Sequence, residues 1–137
     1  MTERFVFDTN VWISGLIWRG KSYQCLLLAR VGIVQVVYCP PALAELAEKL
    51  RGKFQFSEDH IRAVLYQIRQ MGERVEISGS LRVVPDDPDD DKFIECALKG
   101  GAAYVVSSDQ HLLSMKKYKP IEIITPERLV ALMTHFD

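Results

Sequence analysis

Aspartates stand at three places in the chain where a site built from carboxylates could form. Five of them share the stretch DDPDDD at 86–91, directly before an apolar helical pattern. Asp8 and Asp109 each follow a short apolar run that is typical of a buried strand. Carboxylate oxygens are the ligands that Mg²⁺ and Mn²⁺ prefer, so this distribution predicts a site for a hard divalent cation.

Each acid also has a purely structural interpretation. Asp8 could end the first strand with a turn, and Asp109 could cap the short helix that follows it. The aspartates of the run 86–91 could simply favour a helix N-terminus through the helix dipole. Glu45 and Glu48 both project away from the apolar stripe of an early helix, and periodicity does not choose between them.

The elements that would position these acids alternate along the chain. Apolar and β-branched runs predict strands at 4–7, 34–38, 75–77, 104–106 and 121–124. Helical spacing and caps predict helices at 10–17, 23–31, 40–50, 57–71, 93–98 and 109–115, and a last helix from the Thr125 cap to His135. This alternation predicts an α/β fold with a mostly parallel sheet covered on both faces. Asp8 and Asp109 then lie beyond the carboxyl ends of strands, where ligands bind in such folds.

Length and composition limit the possible classes of protein. A chain of 137 residues predicts one domain covering 1–137. The net charge of −1 excludes a polycation, so any contact with nucleic acid must come from a local basic patch. Three widely spaced cysteines predict reduced thiols, and the chain shows neither a signal peptide nor an apolar run of membrane-spanning length, which predicts a cytoplasmic protein. The absence of a glycine-rich phosphate loop argues against a nucleotide-dependent enzyme.

Four acidic segments, taken in order, resemble those of the PIN-domain nucleases. They are FDTN at 7–10, EL at 45–46, DPDDDKFI at 87–94 and VSSDQHLL at 106–113. Together with IITPE at 123–127 they are similar to the toxin-component branch that is related to VapC toxins. The resemblance spans essentially the whole chain. It implies a three-layer α/β/α sandwich and cleavage of RNA that depends on Mg²⁺ or Mn²⁺.

The resemblance also implies roles for individual acids. The expected catalytic residues are Asp8, Glu45, Asp91 and Asp109. Of these, Asp8, Asp91 and Asp109 are expected to hold the metal, while Glu45 holds a second ion or orients the attacking water. Asp91 is favoured over Asp90 because it stands three residues before Ile94, as the aspartate of the family usually does. Asp87 is an additional acidic candidate.

Other residues are expected to support the substrate or the acids. By the resemblance, Asn10 and Ser107 occupy polar positions that support the acids or the scissile phosphate, and Lys53 follows the early helix where a lysine is common. Further basic residues that could hold the RNA backbone lie near predicted loops and helix ends: Arg19, Lys21, Arg51, Lys116, Lys117 and Lys119. The alternative for each of them is an ordinary solvent-exposed side chain that does not contact RNA. His111 follows Asp109 closely, but it is not expected to be a ligand because the other donors are hard oxygens.

The toxin-branch resemblance implies three kinds of partner: an RNA substrate, an antitoxin protein, and further copies of the chain in a homodimer or higher oligomer. The last helix and the region around Trp18 are candidate surfaces, with an ordinary core role as the alternative. A non-catalytic PIN-like RNA-binding or scaffold module is the alternative function. A phosphotransfer enzyme of the haloacid dehalogenase type is disfavoured, because it needs a second aspartate where Asn10 stands.

Overall fold

A six-stranded sheet forms the centre of the computed structural model, which describes residues 3–85 and 87–134. Its strands are β1 (Arg4–Phe7), β2 (Gln35–Tyr38), β3 (Gly72–Arg74), β4 (Tyr104–Val106), β5 (Lys117–Tyr118) and β6 (Ile121–Ile124). They lie in the order β3-β2-β1-β4-β6-β5. All neighbouring strands pair in parallel except β5, which pairs antiparallel to β6. The expected mostly parallel sheet is therefore confirmed.

Helices fill most of the connections. They are α1 (Thr9–Ile17), α2 (Lys21–Arg30), α3 (Pro40–Gly52), α4 (Glu58–Met71), α5 (Asp91–Gly100), α6 (Gln110–Leu113) and α7 (Pro126–Met133), and a 3-10 turn at Pro88–Asp90 precedes α5. Side-chain caps fix several helix starts: Asp8 accepts from the Val11 amide, and Ser57 accepts from the His60 amide. Among the described residues, no helix has the length and apolar character that crossing a membrane requires.

The two faces of the sheet carry two separate cores. Phe5 and Phe7 of β1 face one side, where they pack with buried residues of α1, α2, α3, α4 and α7. Val6, which points to the opposite face, packs with Phe93 of α5 and Leu112 of α6. This alternation along a fully buried strand is what a sheet between two helical layers requires. The expected three-layer α/β/α sandwich is confirmed.

The strand expected at 75–77 is wrong, because β3 begins at Gly72, directly after α4 ends. A Cβ atom at Gly72 would lie 2.9 Å from Tyr38 Cδ1, so glycine permits the close approach of β3 to β2. The Val75 amide still donates to the Tyr38 carbonyl over 2.8 Å, but pairing ends there. The end that was expected for the last helix, His135, lies outside the described residues.

Candidate metal centre

The register of β1 and β4 places the starts of two acid-bearing loops side by side in space. Phe7 pairs with Val106, so Asp8 and Ser107 leave the sheet as neighbours. The Asp8 amide donates to the Val106 carbonyl over 3.0 Å, and the Ser107 hydroxyl donates to Asp8 Oδ2. Ser107 Oγ also accepts from the Asp109 amide over 2.9 Å. One buried serine thereby fixes the relative positions of the two acid-bearing loops.

An open cavity of about 160 Å³ lies beyond these strand ends. Its lining includes six carboxylates from four separate parts of the chain: Asp8, Glu45, Asp87, Asp89, Asp90 and Asp109. Asn10, Thr9, Lys49 and Phe93 complete the lining. We call this cavity the acidic pocket.

Two of these acids are held in an unfavourable environment for negative charge. Burial raises the pKa of Asp8 to about 6, although hydrogen bonds from Ser107 and the Val11 amide act in the opposite direction. Burial, together with the negative charges of Asp87 and Asp109, raises the pKa of Asp90 to about 7. Asp90 Oδ2 is buried and has no hydrogen-bond partner among residues 3–85 and 87–134. A bound cation would remove both costs.

Glu45, on α3, differs from Asp8 and Asp90 because its pKa is lowered. Its burial alone would raise its pKa, but hydrogen bonds from Lys92 and Thr9 outweigh that effect and hold the pKa below its usual value. Lys92 Nζ lies 2.8 Å from Glu45 Oε1, and the Thr9 hydroxyl donates to Glu45 Oε2. Glu45 is therefore a carboxylate near neutral pH, with both of its oxygens already hydrogen-bonded.

The donor chemistry and charge of the acidic pocket fit a hard divalent cation. Carboxylates dominate the lining, Asp90 Oδ2 is buried without a hydrogen-bond partner among the described residues, and burial raises the pKa of both Asp8 and Asp90. Mg²⁺ and Mn²⁺ prefer carboxylate oxygens such as those that line this pocket.

The family model for the PIN domain matches residues 4–111. The chain belongs to the PIN domain family. PIN domains are nuclease domains, and PIN nucleases generally use divalent metal ions. The expected family is thus confirmed.

Solved structures share this fold. A chain in the crystal structure of VapBC2 from Rickettsia felis, bound to a DNA fragment from their promoter, superimposes with a TM-score of 0.62 at 13% identity. That match covers 89% of this chain and 98% of the other. PAE2754 from Pyrobaculum aerophilum superimposes with a TM-score of 0.57 at 12% identity, covering 96% of this chain and 89% of its own. No curated protein sequence gives a significant match.

Within this PIN domain, Asp91, which was expected to hold the metal, does not line the acidic pocket. Asp91 is buried, and its Oδ1 accepts from the amides of Val83 and Val84 over 2.7 and 2.8 Å. The three-residue spacing to Ile94 explains why Asp91 is buried outside the pocket. Residues three apart share one face of a helix, and Ile94 is buried in the core. Asp90, one position earlier, lines the pocket instead.

The other expected PIN-site residues divide into two groups. Asp8, Glu45, Asp109 and Asn10 line the acidic pocket, and Ser107 lies directly behind Asp8. Lys53 does not line it: it is exposed at the end of α3, with its Nζ 5.7 Å from the centroid of the Phe54 ring. The pocket is lined instead by Lys49, one helical turn earlier on α3.

Sequence reasoning missed the role of Thr9 and Lys92 in this PIN site. A signal for Lys92 was present, since it is a single lysine directly behind a run of aspartates. His111 was placed close to the site, and its Nδ1 does lie 3.7 Å from Asp87 Oδ2 and 3.8 Å from Asp109 Oδ1. Asp87, Asp109 and His111 form one compact group of possible donor atoms.

Proposed function

We propose that this PIN-domain protein is an Mg²⁺- or Mn²⁺-dependent endoribonuclease and the toxin component of a toxin–antitoxin pair in the cytoplasm. One observation carries the nuclease part of the proposal: Asp8, Asp90 and Asp109, far apart in the sequence, line one cavity in which a buried carboxylate oxygen has no hydrogen-bond partner within residues 3–85 and 87–134. Membership of a nuclease family supports the same conclusion.

The proposed chemistry assigns a separate task to each group. Asp8, Asp90 and Asp109 would hold the cation, which would supply a more acidic water and offset charge on the scissile phosphate. Ser107 and the Val11 amide orient the Asp8 carboxylate, so its ligand oxygens are preorganised. Glu45 stays deprotonated near neutral pH and is placed in the same cavity to orient the attacking water.

Contacts to the RNA backbone would come from residues at the rim. Asn10 and Lys49 line the acidic pocket and can donate to phosphate oxygens next to the scissile bond. Lys53 and the exposed basic side chains Arg19, Lys21, Arg51, Lys116, Lys117 and Lys119 can contact phosphates further away. Such contacts give salt-sensitive affinity with little sequence preference.

Support for the toxin assignment comes from the shared fold with a chain of the VapBC2 complex. We propose an antitoxin protein as partner and a homodimer or higher oligomer as the assembled form. Trp18, which is 57% exposed, is a candidate contact residue. Leu129 and Val130 of α7 are buried in the core, so this helix offers less apolar surface to a partner than its sequence suggests.

The direct test is cleavage of a mixed RNA by the purified full chain with Mn²⁺, with Mn²⁺ plus a chelator, and with Asp8→Asn. The substitution keeps the shape of the side chain but removes a negative ligand, so we expect at least a hundredfold loss of cleavage with the fold retained. Asp59→Asn is the matched control, because Asp59 is exposed on α4 away from the pocket. Undiminished cleavage by Asp8→Asn, or cleavage that survives chelation, would reject the assignment.

A further inference from the structure

Lys92 occupies a binding site for a positive charge that is built entirely from this chain. Its Nζ lies 2.8 Å from Glu45 Oε1 and also donates to the Asp89 carbonyl. The same ammonium lies 4.9 Å from the centroid of the Phe93 ring. Only 15% of the Lys92 side chain is exposed, so these partners replace much of the water that a lysine ammonium normally keeps.

The acidic pocket therefore has two unlike ends. At one end, both oxygens of Glu45 are hydrogen-bonded, one to Lys92 and one to Thr9. At the other end, Asp90 Oδ2 has no partner in the described part of the chain, and Asp8 accepts hydrogen bonds from two uncharged donors, the Ser107 hydroxyl and the Val11 amide. The first end already has its compensating charge, whereas the second still requires one.

We propose that Lys92 takes the place of a second metal ion, so that the acidic pocket binds one divalent cation per chain, at Asp8, Asp90 and Asp109. This inference rests on the proposed nuclease function and specifies its metal requirement. Two-metal nucleases hold their ions about 3.5–4 Å apart, so that both sides of the phosphate meet positive charge. Here the ammonium of Lys92, fixed by folding, supplies the second charge.

Electrostatics explains why a second divalent ion is excluded while Lys92 is in place. An ion bound to Glu45 would have to take a hydrogen-bonded oxygen and approach an ammonium that is itself 2.8 Å from the carboxylate. Like charges at such separation in a partly buried site repel strongly. Removal of the ammonium leaves Glu45 Oε1 without its hydrogen bond from Lys92, and the pocket then becomes able to hold a second ion at Glu45.

The test is the number of Mn²⁺ ions bound per full chain, measured by calorimetric titration and by electron paramagnetic resonance of free Mn²⁺. We expect one ion for the wild type and two for Lys92→Gln, which keeps the length of the side chain but removes its charge. Lys99→Gln is the matched control, since Lys99 is exposed on the same helix. We expect one ion for this control and one for Lys92→Arg, which keeps the charge.

Two further variants locate the ions. Glu45→Gln is expected to keep the single ion of the wild type, because that ion does not use Glu45. Glu45→Gln combined with Lys92→Gln is expected to return from two ions to one. Thermal melting of each metal-free variant shows whether it is folded, and Glu45→Gln tests the inference even if Lys92→Gln does not fold.

Three results would overturn the inference. They are two ions in the wild type, a single ion in folded Lys92→Gln, and loss of the ion in Glu45→Gln. A wild-type chain that binds no Mn²⁺ at all contradicts the proposed metal-dependent nuclease itself, so failure of the function is distinguishable from failure of the inference.

Discussion

At the scale of residues, neighbouring acids on one short segment have different surroundings. Asp90 lines the acidic pocket and has one oxygen with no hydrogen-bond partner in the part of the chain that the structure describes, whereas Asp91 accepts hydrogen bonds from the amides of Val83 and Val84. A carboxylate that accepts two backbone N–H groups at the first turn of a helix is a structural anchor. A carboxylate that burial leaves without a partner is suited to a cation.

Separate substitutions should resolve these two tasks. Asp90→Asn is expected to weaken Mn²⁺ binding at least tenfold without loss of metal-free stability, because it removes a repelled charge. Asp91→Ala is expected to destabilise the fold by about 2 kcal/mol, since two buried amides lose their acceptor, while Mn²⁺ still binds. Urea unfolding and calorimetric Mn²⁺ titration measure the two quantities. If Asp91→Ala lost Mn²⁺ binding and Asp90→Asn kept it, Asp91 and not Asp90 would be the metal ligand.

Stability of the metal-free protein should fall as pH rises from 5 to 8. Asp8 and Asp90 have folded-state pKa values of about 6 and about 7, against an ordinary value of 3.8. In this interval the native state holds more protons than the unfolded state, so rising pH removes native protons and lowers the free energy of unfolding. Glu45, whose pKa is lowered, acts only at more acidic pH and in the opposite direction.

Thermal melting in the presence of a chelator at several pH values checks this expectation. Asp90→Asn should make the melting temperature fall less steeply with pH, because one of the two carboxyl groups with a raised pKa is then absent. A wild-type melting temperature that rises between pH 5 and pH 8, or a slope that Asp90→Asn leaves unaltered, would contradict it.

At the scale of elements, α5 is the helix on which the site depends. Its first turn follows Asp90 and contains Lys92, and its second contains Glu95, a buried acid that accepts hydrogen bonds from the amides of Ser78, Gly79 and Leu81. Its last residue, Gly100, packs on β2, and Gly101 follows in the left-handed conformation with φ of 64°. The position of α5 relative to the sheet therefore sets the positions of Asp90 and Lys92.

Gly100→Ala tests that dependence. A Cβ atom at Gly100 would lie 2.5 Å from Val37 Cγ1, so α5 or β2 must shift, at an expected cost of about 1–3 kcal/mol. We also expect weaker Mn²⁺ binding, because Asp90 moves with the helix. Gly52→Ala is the matched control: Gly52 ends α3 with open space around it, and alanine there should be neutral or stabilising. Chemical denaturation that shows equal effects of the two substitutions would refute this account.

At the scale of the whole molecule, the net charge is only −1, but the charged groups are distributed unevenly over the fold. Six carboxylates line one cavity at the carboxyl edge of the sheet, and folding brings them together against their mutual repulsion. A cation that binds only the folded state therefore adds directly to the free energy of unfolding.

Mn²⁺ should raise the melting temperature of the wild type by several degrees, because 100-fold saturation adds about 2.7 kcal/mol. Asp8→Asn should lose most of this increase, and Asp59→Asn should keep it. A scaffold with no metal function would melt at the same temperature with and without Mn²⁺, and that result would favour the non-catalytic alternative.

Much of this protein follows from local sequence patterns. Alternating strands and helices predicted the parallel sheet, and a parallel sheet places all of its carboxyl strand ends on one edge, so Asp8 and Asp109 were expected to be close. Threonine and serine caps marked helix starts at Ser57 and Thr125, because these side chains satisfy amides that the helix leaves free. The four acidic motifs identified the family.

Only the tertiary structure decided which acids face the pocket. Successive residues around a helix start point in different directions, and the rotation of α5 is set by Phe93, Ile94 and Gly100 packing on the sheet, not by the aspartates themselves. For the same reason, Glu45 lines the pocket while Glu48 is exposed. The pairing of Lys92 with Glu45 joins positions far apart in the chain, and such a contact exists only once α3 and α5 have packed against the same sheet.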